Sequence, residues 1–221
     1  MRVETAARLS PQGLEKLMHI SPKLGALNAQ RFRAFPDGQG AKPAVEMFSG
    51  DTYVGLEARS LDPDELAYAQ DHLRILSGLY GLLRPLDLIQ PHRLEMGSRL
   101  TNPRGRNLYE FWGDRIALAL AEQAAQLGSK TLLNCASGEY FKAANRPALG
   151  LRVITPVFME DTEKGPKIIS FYAKQARGAM ARFVMQKRVR DPEGLKDFDA
   201  GGYRFQPERS SGEQLVFLRS A

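Results

Sequence analysis

Apolar residues along this chain follow helical spacing in some stretches and strand-like spacing in others. Leu66, Ala69 and Leu73 recur every third or fourth residue, which predicts a helix over residues 60–77. The other segments with helical spacing cover residues 108–127, 139–144 and 172–189. Short apolar or alternating runs are typical of strands, and they cover residues 45–48, 92–100, 131–135, 152–158, 167–171, 203–205 and 214–218. Because helices and strands mix without a strict βαβ order, the pattern predicts an α+β or mixed α/β fold.

Two Ser-Pro pairs near the start of the sequence mark the beginnings of helices. Ser10-Pro11 and Ser21-Pro22 each precede a run of apolar residues at helical spacing. A serine side chain accepts a hydrogen bond from the first helical turn, and proline at the first helical position already has the required φ. The sequence therefore predicts two short helices, one beginning at each proline.

Composition limits the class of protein. The chain has 221 residues, of which 43% are hydrophobic and 25% are charged, and this balance is ordinary for a folded domain. No apolar run approaches the roughly 18–20 residues that a membrane-spanning helix needs. Cys135 is the single cysteine, so an internal disulfide is excluded and a reducing cytoplasm is the expected location. No linker-like segment divides the sequence, and we expect one domain over residues 1–221.

Positive charge is concentrated in one stretch of the sequence. The net charge is +6, and residues 164–190 contain no acidic residue. The basic residues of this stretch are Lys164, Lys167, Lys174, Arg177, Arg182, Lys187, Arg188 and Arg190. Ion pairs between positions i and i+4 cannot neutralise a stretch that lacks acids. On a helix, Lys174, Arg177 and Arg188 fall near one face, which predicts an exposed basic stripe suited to phosphate contacts.

A second stretch, residues 72–106, is rich in arginine. Its arginines are Arg74, Arg84, Arg93, Arg99, Arg104 and Arg106, and its acids are Asp87 and Glu95. These arginines either pair with acids elsewhere in the fold or extend the basic surface. We expect the two stretches together to form a basic surface for nucleic acid.

The segment Gly78-Leu79-Tyr80-Gly81 follows the helix predicted over 60–77. In a helix-hairpin-helix element, a glycine turn aims backbone N–H groups at a phosphate, and glycine permits the close approach. Here the glycines are three apart rather than the usual two, and Pro85 shortens the second helix. Two interpretations stay open: a phosphate-binding hairpin with Arg84 beside it, or a glycine-capped helix joined to a loop.

The sequence contains few motifs of known chemistry. It has no Walker loop, GxGxxG, HExxH or CxxC motif and no cluster with metal-ligand spacing, so no cofactor and no metal are predicted. The densest polar set follows a predicted strand and consists of Ser137, Glu139, Tyr140 and Lys142. This set is either an active site at a strand-to-helix turn or a serine cap with a paired lysine. Because no pair of nucleophile and base is evident, we expect a binding protein, the alternative being an enzyme acting on a nucleic acid or nucleotide.

Several segments have a distinctive sequence in a fixed order. The longest covers residues 73–87, and the others cover 48–51, 93–97, 108–114, 136–142, 169–174 and 202–205. Over nearly the whole chain they resemble the YaaA family of peroxide-stress proteins. The resemblance implies a cytoplasmic protein that limits oxidative damage and free iron. It also implies a compact mixed α/β fold with a central mixed sheet, flanking helices and a basic cleft, in which a helix-hairpin-helix-like element at residues 77–84 binds duplex DNA.

Charge and resemblance together select one set of residues. The predicted DNA-binding residues are Gly78, Leu79, Tyr80, Gly81, Arg84, Arg74, Lys174, Arg177 and Arg188. The sequence departs from the family pattern at its start, where the usual first strand and its Ser-Pro-Ala-Lys-Thr segment are expected to be missing. It also has Ser49 where the family commonly has lysine, so weaker DNA binding is expected if these lysines line the cleft. Cys135 stands where the family more often has an aliphatic residue, which disfavours a thiol mechanism.

Overall fold

A computed structural model describes residues 2–35, 37–38 and 40–220, without the side chains of residues 2 and 3. Helices and strands are mixed, which confirms the predicted fold class. The α-helices are α1 (Arg2–Ala7), α2 (Pro11–Met18), α3 (Pro22–Ala34), α4 (Ala44–Met47), α5 (Asp51–Leu56), α6 (Pro63–His72), α7 (Leu108–Trp112), α8 (Arg115–Gln126), α9 (Gly138–Phe141) and α10 (Ser170–Lys187). The strands are β1 (Lys42–Pro43), β2 (Ile75–Ser77), β3 (Gly81–Leu83), β4 (Leu88–Ile89), β5 (Thr131–Leu133), β6 (Arg152–Glu160), β7 (Tyr203–Phe205) and β8 (Gln214–Arg219).

The chain forms two compact units, each built from separate stretches of sequence. Unit 1 consists of Met1–Met47, Arg74–Glu122 and Ser137–Leu149. Unit 2 consists of Phe48–Leu73, Gln123–Ala136 and Gly150–Ala221. The chain therefore passes from one unit to the other several times, and the expectation of one domain over residues 1–221 stays a prediction.

The Ser-Pro pairs of unit 1 begin helices as predicted. Ser10 Oγ accepts a hydrogen bond from the Gly13 N–H at 3.1 Å, and α2 starts at Pro11. The next helix, α3, starts at Pro22 after Ser21, although the Ser21 side chain makes no capping bond. The Ser-Pro pattern therefore placed both helices, although the serine side chain caps only α2.

Two strands predicted in unit 1 are wrong. Residues 45–48 lie mostly in α4, and the extended backbone is β1, which pairs antiparallel with β4. Residues 92–100 form no strand, although Leu94, Met96 and Leu100 are buried in alternation. In residues 92–100 the apolar pattern predicted correctly which side chains are buried. A strand additionally needs a neighbouring backbone with which to pair, and a one-segment pattern cannot show that neighbour.

Two predicted helices have different limits. The helix expected over 60–77 is α6, which begins at a capping box formed by Asp62 and Glu65 and ends at His72. The helix expected over 108–127 is divided into α7 and α8 by Gly113, whose φ of 52° and ψ of −127° lie outside helical geometry. Apolar spacing continues across this break, so periodicity alone did not reveal it.

A four-stranded mixed sheet forms the centre of unit 2. Its strand order is β5-β6-β8-β7, with β6 parallel to β5 and β8, and β7 antiparallel to β8. Aromatic rings of Phe158, Phe198 and Phe217 pack together on this sheet. The strand predicted over 167–171 is wrong, because only Lys167 pairs, through one bridge to Glu160, before α10 begins.

Strand β6 continues through Pro156, although proline usually interrupts a central strand. The Thr155 N–H donates to the Glu213 carbonyl at 2.8 Å, on the side of β8. Alternation therefore turns the Pro156 nitrogen toward the side of β5, whose pairing ends at Ile154. Proline lacks an N–H, but at this position the ladder does not require one.

Candidate nucleic-acid interface

The helix α10 carries most of the acid-free stretch and packs closely on α5. A Cβ added to Gly55 would overlap the Gln175 backbone, and a Cβ added to Gly178 would overlap the Thr52 backbone. Two helices approach this closely only where glycine removes the side chain from between them. The inner face of α10 is completed by small and flexible apolar residues, namely Ala176, Met180, Ala181 and Met185.

This close packing brings two acids toward the basic residues of α10. One is Asp51 at the start of α5, and the other is Glu57 directly after its end. Lys174 Nζ lies 3.5 Å from Asp51 Oδ2. Arg182 Nη1 lies 3.9 Å from Glu57 Oε2 and donates to the Glu57 carbonyl at 2.9 Å and the Leu56 carbonyl at 3.2 Å. Arg182 thus binds the carboxyl end of α5 and has a structural role. The stretch lacks acids in sequence, but the fold supplies two.

Arg177 differs from these neighbours. It is half-buried, and its Nε donates to the Ala173 carbonyl at 3.3 Å, one turn earlier in the same helix. Burial lowers the pKa of its guanidinium, and the neighbouring Cys135 thiol opposes this shift. Among the described residues, no carboxylate pairs with Arg177. A desolvated cation without an anion is unfavourable, and this arrangement suits an anionic ligand.

Arg188 does not continue the predicted stripe. It is the C-cap of α10 with a left-handed φ of 49°, so its side chain leaves the helical array. The guanidinium instead lies over the Tyr68 ring, 5.6 Å from its centroid. The expectation of one helical face shared by Lys174, Arg177 and Arg188 is therefore wrong for Arg188.

The remaining cations of residues 164–190 are exposed. They make no ion pair within the described part of the chain, and they are Lys164, Lys167, Lys187 and Arg190. Exposed, unneutralised lysines and arginines attract polyanions over a distance of about one Debye length.

The arginine-rich stretch lies in unit 1 from Arg74 onward. Arg84 Nε lies 3.3 Å from Asp87 Oδ1, and the Arg93 Nε to Glu95 Oε1 distance is 2.6 Å. The arginines are exposed and their acids are half-buried, and each pair neutralises one arginine. Whether the two basic stretches form one DNA surface stays a prediction.

The helix-hairpin-helix prediction for Gly78–Gly81 is wrong, because this segment is the turn of the β2–β3 hairpin. Trp112 Nε1 donates to the Gly78 carbonyl at 3.1 Å. A Cβ on Gly81, whose φ is +83°, would overlap the Trp112 ring, and a Cβ on Gly78 would overlap the Leu94 carbonyl. Gly78, Leu79 and Gly81 are buried, and the Tyr80 N–H donates to Ser77 Oγ at 3.1 Å. The glycines therefore have a packing role in the core of unit 1.

The polar set after β5 is brought together around α9. Ser137 is its N-cap and accepts from the Tyr140 N–H at 3.4 Å, while Glu139 Oε1 accepts from the Gly97 N–H at 2.8 Å. Burial, reinforced by the charge of Glu139, raises the pKa of Tyr140 to about 12. Lys142 Nζ lies 5.0 Å from the centroid of the Tyr109 ring. Each member has a structural partner, and the catalytic alternative stays a prediction.

Cys135 follows β5 and packs against the aromatic core of unit 2. Burial raises the pKa of its thiol to about 12, although the Arg177 charge opposes the shift. Because the thiolate is the nucleophile, a thiol with this pKa reacts slowly at neutral pH. The geometry thus agrees with a structural cysteine.

A comparison with known proteins decides the family. A family model described as peroxide stress protein YaaA matches residues 2–209. The chain belongs to the YaaA family. The family resemblance seen in the sequence is thereby confirmed, together with a general role in oxidative stress.

Relatives within the YaaA family cover almost all of the chain. A UPF0246 protein of Dinoroseobacter shibae is 58% identical over 220 residues, which are 98% of this chain and 82% of the relative. A UPF0246 protein of Roseobacter denitrificans is 58% identical over 221 residues, with 98% and 85% covered. The UPF0246 protein of Ruegeria pomeroyi is 56% identical over 219 residues, with 98% and 86% covered.

Within residues 2–35, 37–38 and 40–220, no group of three His, Cys, Asp or Glu side chains is placed to hold a metal ion. In the same residues, no helix is both long and apolar enough to cross a membrane.

Sequence reasoning missed the residues that modify the charge of α10. Asp51 and Glu57 are far from α10 in the sequence, and no local pattern shows that they pair with it. A signal was present in Gly55 and Gly178, because an isolated glycine within a helical pattern indicates close packing or a break. Arg219 was also missed, since it lies at the end of a strand with no neighbouring basic cluster.

Proposed function

We propose that this YaaA-family chain binds duplex DNA in the cytoplasm during peroxide stress and limits iron-driven oxidative damage to it. The observation that carries the proposal is Arg177, a half-buried cation for which the described residues provide no carboxylate. A phosphate oxygen at this guanidinium would form a charge-assisted hydrogen bond and replace the hydration that Arg177 has lost.

Neighbouring cations support this assignment. Lys174 lies one turn before Arg177, and its side chain is 46% exposed beside Asp51. An exposed ion pair contributes about 0–1 kcal/mol, so a phosphate can replace Asp51 at little cost. Contacts of this kind hold the DNA backbone and carry no sequence information, so we expect binding without sequence preference.

Phosphate neutralisation also provides a link to iron. Fe(II) is a cation and concentrates near DNA phosphates with other counterions. A protein that neutralises phosphates releases these counterions into solution. Hydroxyl radicals would then form farther from the DNA, which lowers strand breakage without a metal site in the protein.

The Arg177→Gln variant tests this function. We expect the wild-type protein to bind a 20-base-pair duplex with an affinity that falls steeply between 50 and 200 mM salt, as measured by fluorescence anisotropy. Removing one charged phosphate contact should weaken binding about tenfold and reduce the salt slope by about one. A nicking assay with Fe(II) and hydrogen peroxide should show less protection by the variant.

Arg204→Gln is the matched control, because Arg204 is 71% exposed and lies 3.6 Å from Asp199 in the same unit. It makes the same charge change, and it should alter duplex binding much less than Arg177→Gln. Salt-independent binding by the wild type, or equal losses in both variants, would contradict the assignment of Arg177. If wild type and Arg177→Gln protected DNA equally in the nicking assay, protection would not depend on the Arg177 contact with DNA.

A further inference from the structure

A short loop that carries two arginines precedes α7 in unit 1. The loop consists of residues 102–107, and we call it the arginine loop. Arg104 and Arg106 are both exposed, and neither makes an ion pair with an acid of the described residues. Only Gly105 lies between them in the sequence. The arginine loop therefore carries two unneutralised positive charges on the surface of unit 1.

Hydrogen bonds fix the backbone of the arginine loop. The Asn102 N–H donates to the Gly105 carbonyl at 2.9 Å, and the Gly105 N–H donates to the Asn102 carbonyl at 3.1 Å. Asn102 Nδ2 donates to the carbonyls of Leu100 and Asn107, at 2.9 and 3.2 Å. Asn102 Oδ1 accepts from the Arg104 N–H at 2.9 Å. A loop fixed in this way loses little conformational entropy when it binds a ligand.

Glu110 of α7 holds the second half of the arginine loop. Its Oε2 accepts from the Arg106 N–H at 2.8 Å, and its Oε1 accepts from Asn107 Nδ2 at 3.0 Å. A Cβ on Gly105 would overlap the Glu110 side chain, so only glycine lets the backbone lie this close to it. Both carboxylate oxygens therefore bind N–H groups of the loop, and Glu110 forms an ion pair with neither guanidinium.

Positive charge in this part of the sequence is carried by arginine alone. Residues 43–129 contain eight arginines and no lysine. Both side chains bind phosphates, but a guanidinium is more weakly hydrated than an ammonium group, so it loses less hydration when it leaves water. A narrow minor groove of DNA has an enhanced negative potential that attracts inserted arginine side chains. Exposed arginines on a rigid loop suit entry into such a groove.

The spacing of the two arginines also suits one groove. Because they are two residues apart, the Cα atoms of Arg104 and Arg106 are separated by at most about 7 Å. Two steps along a DNA strand cover a similar length, at about 3.4 Å each. Both side chains can therefore occupy neighbouring positions in the same groove.

We propose that Arg104 and Arg106 enter the minor groove of duplex DNA and give the protein a preference for A·T tracts, whose minor groove is narrow. This inference rests on the proposed function and adds a class of DNA to it. The phosphate contacts proposed for Lys174 and Arg177 carry no sequence information, so the arginine loop is the source of the preference. Glu110 is a positioning residue for the loop.

The test compares three labelled duplexes of equal length that differ only in a central tract of A·T, G·C or inosine·cytosine pairs. Inosine lacks the amino group that guanine places in the minor groove, and it presents the same major-groove acceptors as guanine. Anisotropy at fixed salt should show the wild-type protein binding the A·T duplex about tenfold more tightly than the G·C duplex. The inosine duplex should bind like the A·T duplex.

Replacing both arginines with lysine, as Arg104→Lys with Arg106→Lys, keeps the charge of the loop. This variant should bind the G·C duplex like the wild type, because lysine also contacts phosphates. It should lose most of the preference for A·T, because an ammonium group loses more hydration on entering the groove. Arg204→Lys is the control: it makes the same change at a 71% exposed arginine of unit 2 and should leave all three affinities unchanged.

Glu110→Ala tests the positioning of the arginine loop. Removing a negative charge favours a polyanion in general, so the affinity for the G·C duplex should not fall. The preference for A·T should fall nevertheless, because the loop backbone loses the two hydrogen bonds that hold it. An equal rise in affinity for all three duplexes would contradict the positioning role of Glu110.

Three results would overturn groove entry. They are equal affinity of the wild type for the A·T and G·C duplexes, an inosine duplex that binds like the G·C duplex, and a double lysine variant that keeps the preference. If Arg177→Gln weakens duplex binding while the wild type shows no preference, the groove inference is wrong and the proposed function stands. If the wild type binds none of the three duplexes at low salt, both are wrong.

Discussion

His92 shows how burial affects one ionisable residue in unit 1. Its Nδ1 lies 3.0 Å from the Gln90 carbonyl, and its ring packs edge-on against Tyr80 at 5.2 Å. Burial lowers the pKa of His92, and the charge of Arg31 acts in the same direction, while the Gln90 carbonyl opposes them. The folded chain therefore keeps His92 neutral at a pH where an exposed histidine is protonated.

The sign of the pH effect follows from this shift. In the unfolded chain His92 binds its proton near pH 6.5, and in the folded chain only at a lower pH. Around and below pH 6.5 the unfolded state therefore holds more protons than the folded state. The contribution of His92 to stability is fully present above this pH and is lost as the pH falls. We expect the free energy of unfolding to fall as the pH is lowered from 7.5 to 5.5 in urea titrations.

Replacing His92 with glutamine should remove most of this pH dependence. The exposed His72, which stacks on Tyr68 at 3.7 Å, provides the control as His72→Gln. An unchanged pH dependence in His92→Gln would assign the effect to other groups.

At the scale of elements, the α5–α10 contact depends on glycine. Alanine normally stabilises a helix by about 1 kcal/mol relative to glycine. At Gly178 the added Cβ would overlap backbone atoms of Thr52 and Leu56, which cannot rotate away. We expect Gly178→Ala to lower the free energy of unfolding by about 1–3 kcal/mol despite the better helix propensity.

Gly13→Ala in α2 is the matched change, because its Cβ would meet only side-chain atoms, none nearer than 3.5 Å. This variant should stabilise the protein by up to about 1 kcal/mol in the same urea titrations. A higher free energy of unfolding for Gly178→Ala than for wild type would show that α5 and α10 move apart without loss of stability.

Some elements could be predicted from sequence because their cause is local. The Ser10-Pro11 cap set the start of α2, and apolar alternation located β6 over most of its length. The hairpin at Gly78–Gly81 could not be assigned, because a glycine turn suits both two helices and two strands. The partners that decided it, Trp112 and Leu94, lie outside the segment.

At the scale of the whole molecule, the sequence predicted where basic residues are concentrated but not which of them stay unpaired. Lys174 and Arg182 are paired by acids of a distant segment, while Arg177 is left with no described carboxylate. A count of charges cannot make this distinction, because it depends on tertiary contacts. Ile168, Ile169 and Phe171 were likewise interpreted as strand residues, and the fold leaves them exposed.

Removing β8 tests the organisation of unit 2. This strand lies between β6 and β7 and buries Leu215, Val216 and Phe217. A chain ending at Gly212 should lose the sheet, since it lacks the burial of Leu215, Val216 and Phe217, which contributes about 5–9 kcal/mol. Circular dichroism melts should show no cooperative transition for unit 2, and limited proteolysis should cut within residues 150–212.

A chain ending at Arg219 retains β8 and should melt and resist protease like the full sequence. Cooperative melting of the chain that ends at Gly212, at the full-length temperature, would show that β8 is dispensable.

The position of β8 also has a consequence for synthesis on the ribosome. Strand β6 leaves the ribosome more than fifty residues before β8, yet β8 is its principal partner. Until Arg219 has emerged, one edge of β6 has no native partner and the Phe158 face has no cover from Phe217. The sheet can therefore close only after translation has passed this point, and a nascent chain stalled before it exposes the apolar strand that chaperones bind.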